Sequence, residues 1–354
     1  MLDITEFLKY AEKEKASDVH ITVGASPRIR VHGKLITTNY PRMTAADTLD
    51  IFLKIVNPQQ RDRFETLGEI DVSVSIPGAG RYRVNAFKQR GSITLSFRLV
   101  DMEIPGADML MIPEPVIELC YKKRGLVIVS GPSGSGKSTL SAALLDIINE
   151  NREANIITIE DSIEYLHSHK QSIINQREIG FDTQSFESGL SAALKEDADI
   201  ISISSLPNEA IAYQTFMAAQ MGHLIFTQMY TLGLSETIEA IIGLFPEYKQ
   251  EMARSQLAAC LRAVVTRQLC EGIGGNRRIP AYGVMLINNK IRTLIREGNF
   301  SAITEVVEEE KESGMISMDD SLLDLYKRGL IDRGVALALC HDQEAMMDKI
   351  NRLF

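Results

Sequence analysis

The segment "LVIVSGPSGSGKSTL", residues 126–140, constrains this chain more than any other. Its first part is a continuous apolar run, the mark of a strand buried on both faces. Gly131, Gly134 and Gly136 then allow a turn that side chains would block. A helical pattern follows, from Ser138 to about Asn149. The spacing Gly131-x-x-x-x-Gly136-Lys137-Ser138 lets backbone N–H groups turn inward around phosphate oxygens, with the positive end of the helix aimed at them. Lys137 adds charge at the β/γ oxygens, and the Ser138 hydroxyl suits Mg²⁺. A chance glycine turn would not come with both flanks correct. Gly131, Pro132, Ser133, Gly134, Ser135, Gly136, Lys137, Ser138 and Thr139 are therefore expected to hold a nucleotide such as ATP.

Strand and helix alternate around this loop. "NIITIED", "DIISIS" and "HLIFTQM" read as strands, while "SFESGLSAALKED" and "NEAIAYQTFMAAQM" read as helices. Such alternation with buried strands predicts an α/β fold on a parallel sheet. From about Ser235 the chain is expected to be mainly helical. The first hundred residues differ. "DVHITV", "PRIRVHGKL", "DVSVSI", "RYRVNAF" and "SITLSFRLV" read as strands, with "PGAG" as a turn between two of them, and "TEFLKYAEKEKA", "ADTLDIFLKIV" and "PQQRDRFETL" read as helices. This predicts an α+β module with an antiparallel sheet. Pro105, Gly106, Pro113 and Pro115 mark a linker. The expected division is 1–100, a linker at 101–115, a core at 116–285 and a helical region at 286–354.

Composition narrows the function classes. Net charge is −9, which opposes general nucleic-acid binding through excess Lys and Arg. No apolar run approaches the ~18 residues of a membrane span, and the N-terminus lacks a signal-peptide core. A cytoplasmic protein, docked at a membrane site, is expected. Cys120, Cys260, Cys270 and Cys340 show no metal spacing, so reduced and mostly buried thiols are expected. His20 and His32 have no ligand partners at metal spacing and read as structural.

Hydrolysis needs an oriented water and charge to meet the γ-phosphate. "TIEDSIE" ends its strand on Glu160 and Asp161 and adds Glu164. Carboxylates at a strand's C-terminal end face the ligand crevice of an open sheet, and Glu160 could hold Mg²⁺ with Ser138. They could equally be acids favouring a helix dipole. "DADIISISSLPN" offers no acid where its strand ends, only Ser204 and Ser205, and Glu209 is expected to begin the next helix. Tyr230 leaves the end of "HLIFTQM"; a phenol can donate to phosphate but does not exchange protons near pH 7. Arg81 and Arg83 share one face by strand alternation, and Arg98 lies among Thr94 and Ser96 on a polar face.

Over residues 5 to 340 the chain resembles the PilT/PilU family of type IV pilus retraction ATPases, within the secretion ATPase superfamily. The residues that carry this are "ASDVHITVGASPRIRVHGKL", "GRYRVNAFKQR", "VSGPSGSGKSTL", "IITIEDSIEYLH", "NQREIGFDTQSF", "GHLIF" and "KIRTLIREGN". The last run is similar to the family's helical retraction motif, including Arg292 and Arg296. "MDDSLLDLYKRGLI" is closer to the PilU side. The resemblance implies a PAS-like N-terminal domain, a RecA-like ATPase domain, ATP bound between them, and a homo-hexameric ring acting on the inner-membrane pilus platform.

Carried over, Gly131 to Thr139 are the Walker A, and Glu160, Asp161 and Glu164 are the Asp box. Arg81, Arg83 and Arg98 are candidate γ-phosphate sensors. The family's catalytic Walker B glutamate falls at Ser205. Its His box keeps His223 as a nucleotide-site residue, but the second histidine is Tyr230. Binding therefore reads as kept and hydrolysis as weakened or lost, a pseudo-ATPase working on the pilus base or beside a full-motif paralogue. Two alternatives stand: an active motor using the Asp-box acids, and a non-motor nucleotide-dependent regulator. A DNA motor is disfavoured by the acidic balance.

Overall fold

The computed structural model describes residues 2–31, 33–77, 80–100, 103–275 and 277–353. The chain divides into two compact units, Met1–Met102 and Glu103–Phe354. Among the described residues no helix is long and apolar enough to cross a membrane.

The first unit is an α+β module. Its strands are β1 (Asp18–Ile21), β2 (Arg28–Val31), β3 (Lys34–Thr37), β4 (Glu69–Ile76), β5 (Gly80–Gln89) and β6 (Ser92–Leu99). They form one antiparallel sheet in the order β3-β2-β1-β6-β5-β4. Alternation sets which side is buried: Leu95 and Phe97 of β6 are fully buried, whereas Thr94 and Ser96 are half-buried. Helices Ile4–Lys13, Ala45–Ile55 and Pro58–Leu67 supply Phe7, Phe52 and Phe64 to the same core. Their starts are fixed by side-chain caps: Asp3 on the first, and reciprocal Thr44/Asp47 and Asn57/Gln60 pairs on the others. Such caps satisfy N–H groups that a helix start leaves open. His32 and part of the expected "PGAG" turn lie outside the described residues.

The second unit holds a seven-stranded sheet. Its strands are β7 (Gly125–Ser130), β8 (Asn155–Glu160), β9 (Ile173–Glu178), β10 (Ile200–Ile203), β11 (Leu224–Met229), β12 (Leu261–Glu271) and β13 (Arg278–Leu286). The order is β13-β12-β7-β11-β10-β8-β9, parallel throughout except for the β12–β13 pair. Leu126 to Val129 are fully buried. At ~1.5–3 kcal/mol for each large aliphatic side chain buried, this strand is a rigid base for the loop that follows it. β7 lies between β12 and β11, and the helix after it, Lys137–Asn151, carries the chain to β8, beyond β11 and β10. The chain thus passes from β7 to one side, to β8, and later crosses from β11 to β12 on the other side of β7, a reversal of direction that opens a crevice at the C-terminal end of β7.

Two expectations need correction. The stretch after Ser235 is not mainly helical, because β12 and β13 form one edge of the sheet. Helix Glu247–Cys260 runs directly into Leu261 with no glycine or proline between them, so the sequence carries no punctuation at the switch. β12 becomes a strand because it pairs with β7, a contact distant in sequence. β9 was also missed; its run "IINQRE" is polar because it is an edge strand. Beyond β13 the chain is helical, with Leu322, Leu325, Ile331, Met346 and Ile350 packed against Cys270 and Ile279. All four cysteines are free, three of them buried, and burial pushes Cys120 and Cys260 up to about 12.

Candidate functional site

The glycine loop leaves β7 at Ser130 and enters the helix at Lys137, with Gly136 as its left-handed cap. Two glycines here are obligatory. Gly131 has φ +150°, and a Cβ on it would lie 2.3 Å from the Arg267 carbonyl oxygen. Gly136 has φ +84°, and a Cβ there would lie 2.8 Å from an Arg267 guanidinium nitrogen. Ser133 and Gly134, at the tip, are exposed, and Ser135 is buried.

Lys137 is 5% exposed, and its ammonium donates to the carbonyls of Gly131 (2.9 Å) and Pro132 (2.8 Å). The Tyr230 ring covers the same ammonium, 4.1 Å from centroid to nitrogen. Burial pulls the Lys137 pKa below its ordinary value, and Glu164 opposes the shift. A desolvated cation lacking a tight carboxylate partner is suited to an incoming anion. Tyr230, though 70% exposed, is thus at the loop, where a cation–π contact supplies ~0.5–1 kcal/mol.

Beside the loop lies a cleft of about 50 Å³, large enough for water. Ser138, Glu160, Glu164, Ser202, Ser204 and Gln228 are among its lining residues. The strand register explains the convergence: β7, β11, β10 and β8 run parallel and end at one edge of the sheet. Glu160 accepts from the Thr158 hydroxyl (2.6 Å) and the Gln176 amide (3.1 Å). Burial raises its pKa to about 7, against those two hydrogen bonds and with help from Glu164 and Glu178. Asp161 and Glu164 are exposed. The Asp161 N–H donates to the Ser204 hydroxyl (3.1 Å), and Thr139 pairs with the Tyr165 hydroxyl (2.9 Å). Ser204 therefore faces the Asp box; Ser205, next along, is half-buried.

The raised Glu160 value has a direct consequence for stability. Its folded value lies above its ordinary 4.5, so the ionised group costs stability. That cost is absent below about 4.5, grows as the unfolded chain ionises, and is complete above about 7. Glu160→Gln is expected to raise the melting temperature at pH 8 and leave it little changed at pH 4. The difference corresponds to roughly 1–3 kcal/mol, discounted for water at the cleft mouth. Melting curves across this range check it.

His223 is the candidate that the structure separates from the loop. It stands just before β11, its ring Nδ1 is 2.7 Å from the Ala198 carbonyl, and its own carbonyl accepts from Gly125 N–H. The six residues of β11 lie between it and the loop edge, about 20 Å at ~3.3 Å per residue. Within this chain it cannot touch a nucleotide held by the loop. Metal candidates Ser138 and Glu160 do share the cleft. Among the described residues no group of three or more His, Cys, Asp or Glu has metal-site geometry.

The first unit holds the candidate sensors. The Arg98 guanidinium donates to Asp18 (2.9 Å), and Arg30 approaches the same carboxylate (3.7 Å). Arg83 is exposed, 4.0 Å from Asp71. Arg81 is half-buried on the same strand. His20 is half-buried beside the Ser96 hydroxyl (3.3 Å), a structural position.

The sequence reading missed Arg267. This β12 residue is 3% exposed, donates to the Gly136 carbonyl (2.7 Å) and packs on the Tyr282 ring. It clamps the loop where the helix begins. Nothing in "VVTRQLC" signals this, because the contact depends on β12 pairing with β7. Also missed was a chain of hydroxyls, Thr231–Thr237 (2.7 Å), Thr237–Ser130 (3.1 Å) and Ser130–Thr266 (2.8 Å), which ties the segment after Tyr230 to the loop's root. Arg267→Met is expected to weaken nucleotide binding roughly 5–20-fold, about one hydrogen bond's worth. The melting temperature should hardly fall, because the buried charge removed has no ion-pair partner among the described residues. Calorimetric titration and thermal melting check the two halves.

A glycine loop rooted on a central parallel strand, with a buried lysine and an acidic cleft beside it, defines a RecA-like P-loop domain following a PAS-like α+β domain. The chain belongs to the type II/IV secretion system protein family, whose model matches residues 2–323. It is 36% identical to the twitching motility protein of Neisseria gonorrhoeae, covering 91% of this chain and 86% of that one. It is 36% identical to the type IV pilus retraction ATPase PilT of Pseudomonas aeruginosa, covering 94% and 96%. The type IV pilus ATPase PilU of the same organism is 33% identical, covering 95% and 88%. A crystal structure of the pilus retraction motor PilT with bound ADP superposes with a TM-score of 0.92, at 38% identity, covering 98% of this chain and all of that one.

Proposed function

We propose that this protein is an ATP-binding subunit of a type IV pilus retraction motor, or of its accessory ring, in which hydrolysis is weak or lost. One observation carries the reading: the loop around Lys137 is fully built, while β10 brings only serines to the cleft beside it. Backbone N–H groups of residues 131–139 and the Lys137 ammonium would bind the phosphates, with Tyr230 moving off the lysine. Removing a positioned general base costs ~10²–10⁴ in rate, while the loop's electrostatic stabilisation remains. The Ser138 hydroxyl and the Glu160 carboxylate fit Mg²⁺: they are oxygen donors on one cleft, and burial leaves the carboxylate short of a compensating cation. When bound, Mg²⁺ would neutralise charge on the phosphate oxygens. Of the sensor candidates, Arg83 stands 4.0 Å from Asp71, whereas Arg98 is engaged by Asp18 at 2.9 Å.

The same reading includes assembly as a homo-hexamer at the inner-membrane base of the pilus, on its platform protein, beside a full-motif paralogue; the relatives named as pilus retraction ATPases support only its placement with the pilus machinery. The division at 1–100, 101–115, 116–285 and 286–354 belongs to the same reading. A second reading has one observation in its favour. A carboxyl with a pKa of about 7 is matched to general-base work at neutral pH, so Glu160 could activate water and make this an active motor.

The deciding experiment measures ATP binding and phosphate release on the isolated protein, then with a full-motif family member added. Binding with turnover well below ~1 s⁻¹, the lower end of ordinary enzymes, supports the first reading. Turnover above that, abolished by Glu160→Gln, supports the second.

A further inference from the structure

At the other end of the second unit's sheet, β7 begins at Gly125 and β12 at Leu261. The register between them passes from Leu261/Leu126 directly to Ala263/Val127, leaving Arg262 as a bulge. Bulges re-aim a side chain, and here the chain makes room for the result. Gly125 has φ +119°, and a Cβ on it would lie 2.5 Å from the Arg262 side chain. The Arg262 guanidinium donates to the Arg124 carbonyl and the Leu261 carbonyl, both at 3.2 Å. Its own carbonyl accepts from Ile287 N–H (2.9 Å), just ahead of helix Asn289–Glu297. On that helix Arg292 donates through Nε to the Ala258 carbonyl (3.1 Å).

Both guanidiniums are half-buried and oriented by backbone carbonyls, which satisfies donors without neutralising charge. Among the described residues no carboxylate pairs with Arg124, Arg262 or Arg292, nor with the exposed Lys122 and Lys123 before them. Burial pushes Arg262 below its ordinary pKa, and Arg292 and Arg124 push it the same way, opposed only by the buried Cys260 thiol. In a chain of net charge −9 this is a concentrated, uncompensated positive site.

We propose that Arg124, Arg262 and Arg292 form an oxoanion site, at the sheet end opposite the glycine loop, that takes a phosphate group. Phosphate fits better than a carboxylate because a dianion offsets two of the clustered charges. Planar guanidinium forks also bind its oxygens in pairs. The phosphate would come from a soluble phosphorylated ligand or from a lipid headgroup.

The test uses the full chain carrying Lys137→Ala, so that the loop does not dominate. It is titrated calorimetrically with inorganic phosphate. Separately, it is mixed with phosphatidylcholine vesicles with and without phosphatidic acid. Phosphate binding assigns the site to soluble ligands, and binding confined to the acidic vesicles assigns it to lipid. Adding Arg262→Gln and Arg292→Gln should weaken that binding about 100-fold or more, the worth of at least one charge-assisted hydrogen bond from each arginine. The milder Arg292→Lys, which keeps charge but loses the fork, should give an intermediate loss even if the double variant fails to fold. No binding in either arm, or binding that these substitutions leave unchanged, overturns the proposal. Neither result bears on nucleotide binding at the loop.

Discussion

Lys137→Ala is expected to reduce ATP affinity by about 100-fold or more and to abolish the rise in melting temperature that ATP produces in the parent protein. Lys137 is the buried cation of the loop, held in place by two carbonyls and capped by one aromatic ring. A charge-assisted hydrogen bond to a phosphate oxygen supplies ~1.5–3 kcal/mol, and an ammonium can make more than one. Ligand stabilisation follows mass action, so a 100-fold weaker site gives almost no shift at a ligand concentration near the parent's Kd. The fold should survive: β7 is held by its own buried aliphatics, and removing Lys137 relieves the burial cost of its charge. Calorimetric titration and thermal melting, each with and without ATP, check this. Unchanged affinity would remove the nucleotide from this loop altogether.

Ser205→Glu is expected to raise ATP turnover by ~10²–10⁴, the usual contribution of a positioned general base, while the Kd for ATP stays within a few-fold. The residue follows β10, whose parallel neighbours β8 and β11 bring Glu160 and Gln228 to the same sheet edge. A glutamate there, next to the cleft-lining Ser204, would supply the proton acceptor that a serine hydroxyl does not. Ser204→Glu is the companion measurement. It places the acid on a residue that lines the cleft, but sacrifices the hydrogen bond from Asp161 N–H. A gain at 205 supports hydrolysis lost by substitution of the base. A gain at 204 alone would move the missing base by one residue. No gain at either position, with binding intact, would show that the acid is not what limits turnover.

The arrangement of charges makes these expectations independent of one another. In the proposed reading Lys137 serves phosphate binding, whereas Glu160 and the serines at the end of β10 line the cleft beside the loop. Tyr230 joins the two sides, since it leaves β11 and lies on Lys137, with the hydroxyl of Thr231 beginning the buried chain to Ser130. Its ring contributes apolar cover and a weak cation–π contact.

The parts of the fold legible in the sequence were those written in local pattern. The alternating strands of the first unit, its capped helices, and the strand–loop–helix around Lys137 each depend on neighbours within a few residues. Glu160 and Glu164 of "TIEDSIE" were legible from their place at the end of β8 and both line the cleft, whereas Asp161 is exposed and is not among the residues lining it. β12 was illegible: its helix predecessor meets it without a break, and its strand character comes from pairing with β7. His223 was assigned to the nucleotide site by the family motif alone; the strand reading of "HLIFTQM" already put it at the start of β11, the end remote from the loop.

By itself, the amino-acid sequence determined that a glycine loop carrying Lys137 exists, that it follows a buried parallel strand, and that Glu160 and Asp161 stand at the end of β8, whereas serines follow β10. Glycine φ angles, hydrophobic periodicity and side-chain chemistry are properties of short segments, so a linear reading recovers them. Only the tertiary structure decided that Arg267 clamps the loop, that Tyr230 covers Lys137, that Glu160 is held near neutrality, and that Arg124, Arg262 and Arg292 gather without an acid. Each of these depends on burial or charge contributed by a residue distant in sequence. Desolvation and Coulomb terms act through space, and no local spacing encodes them.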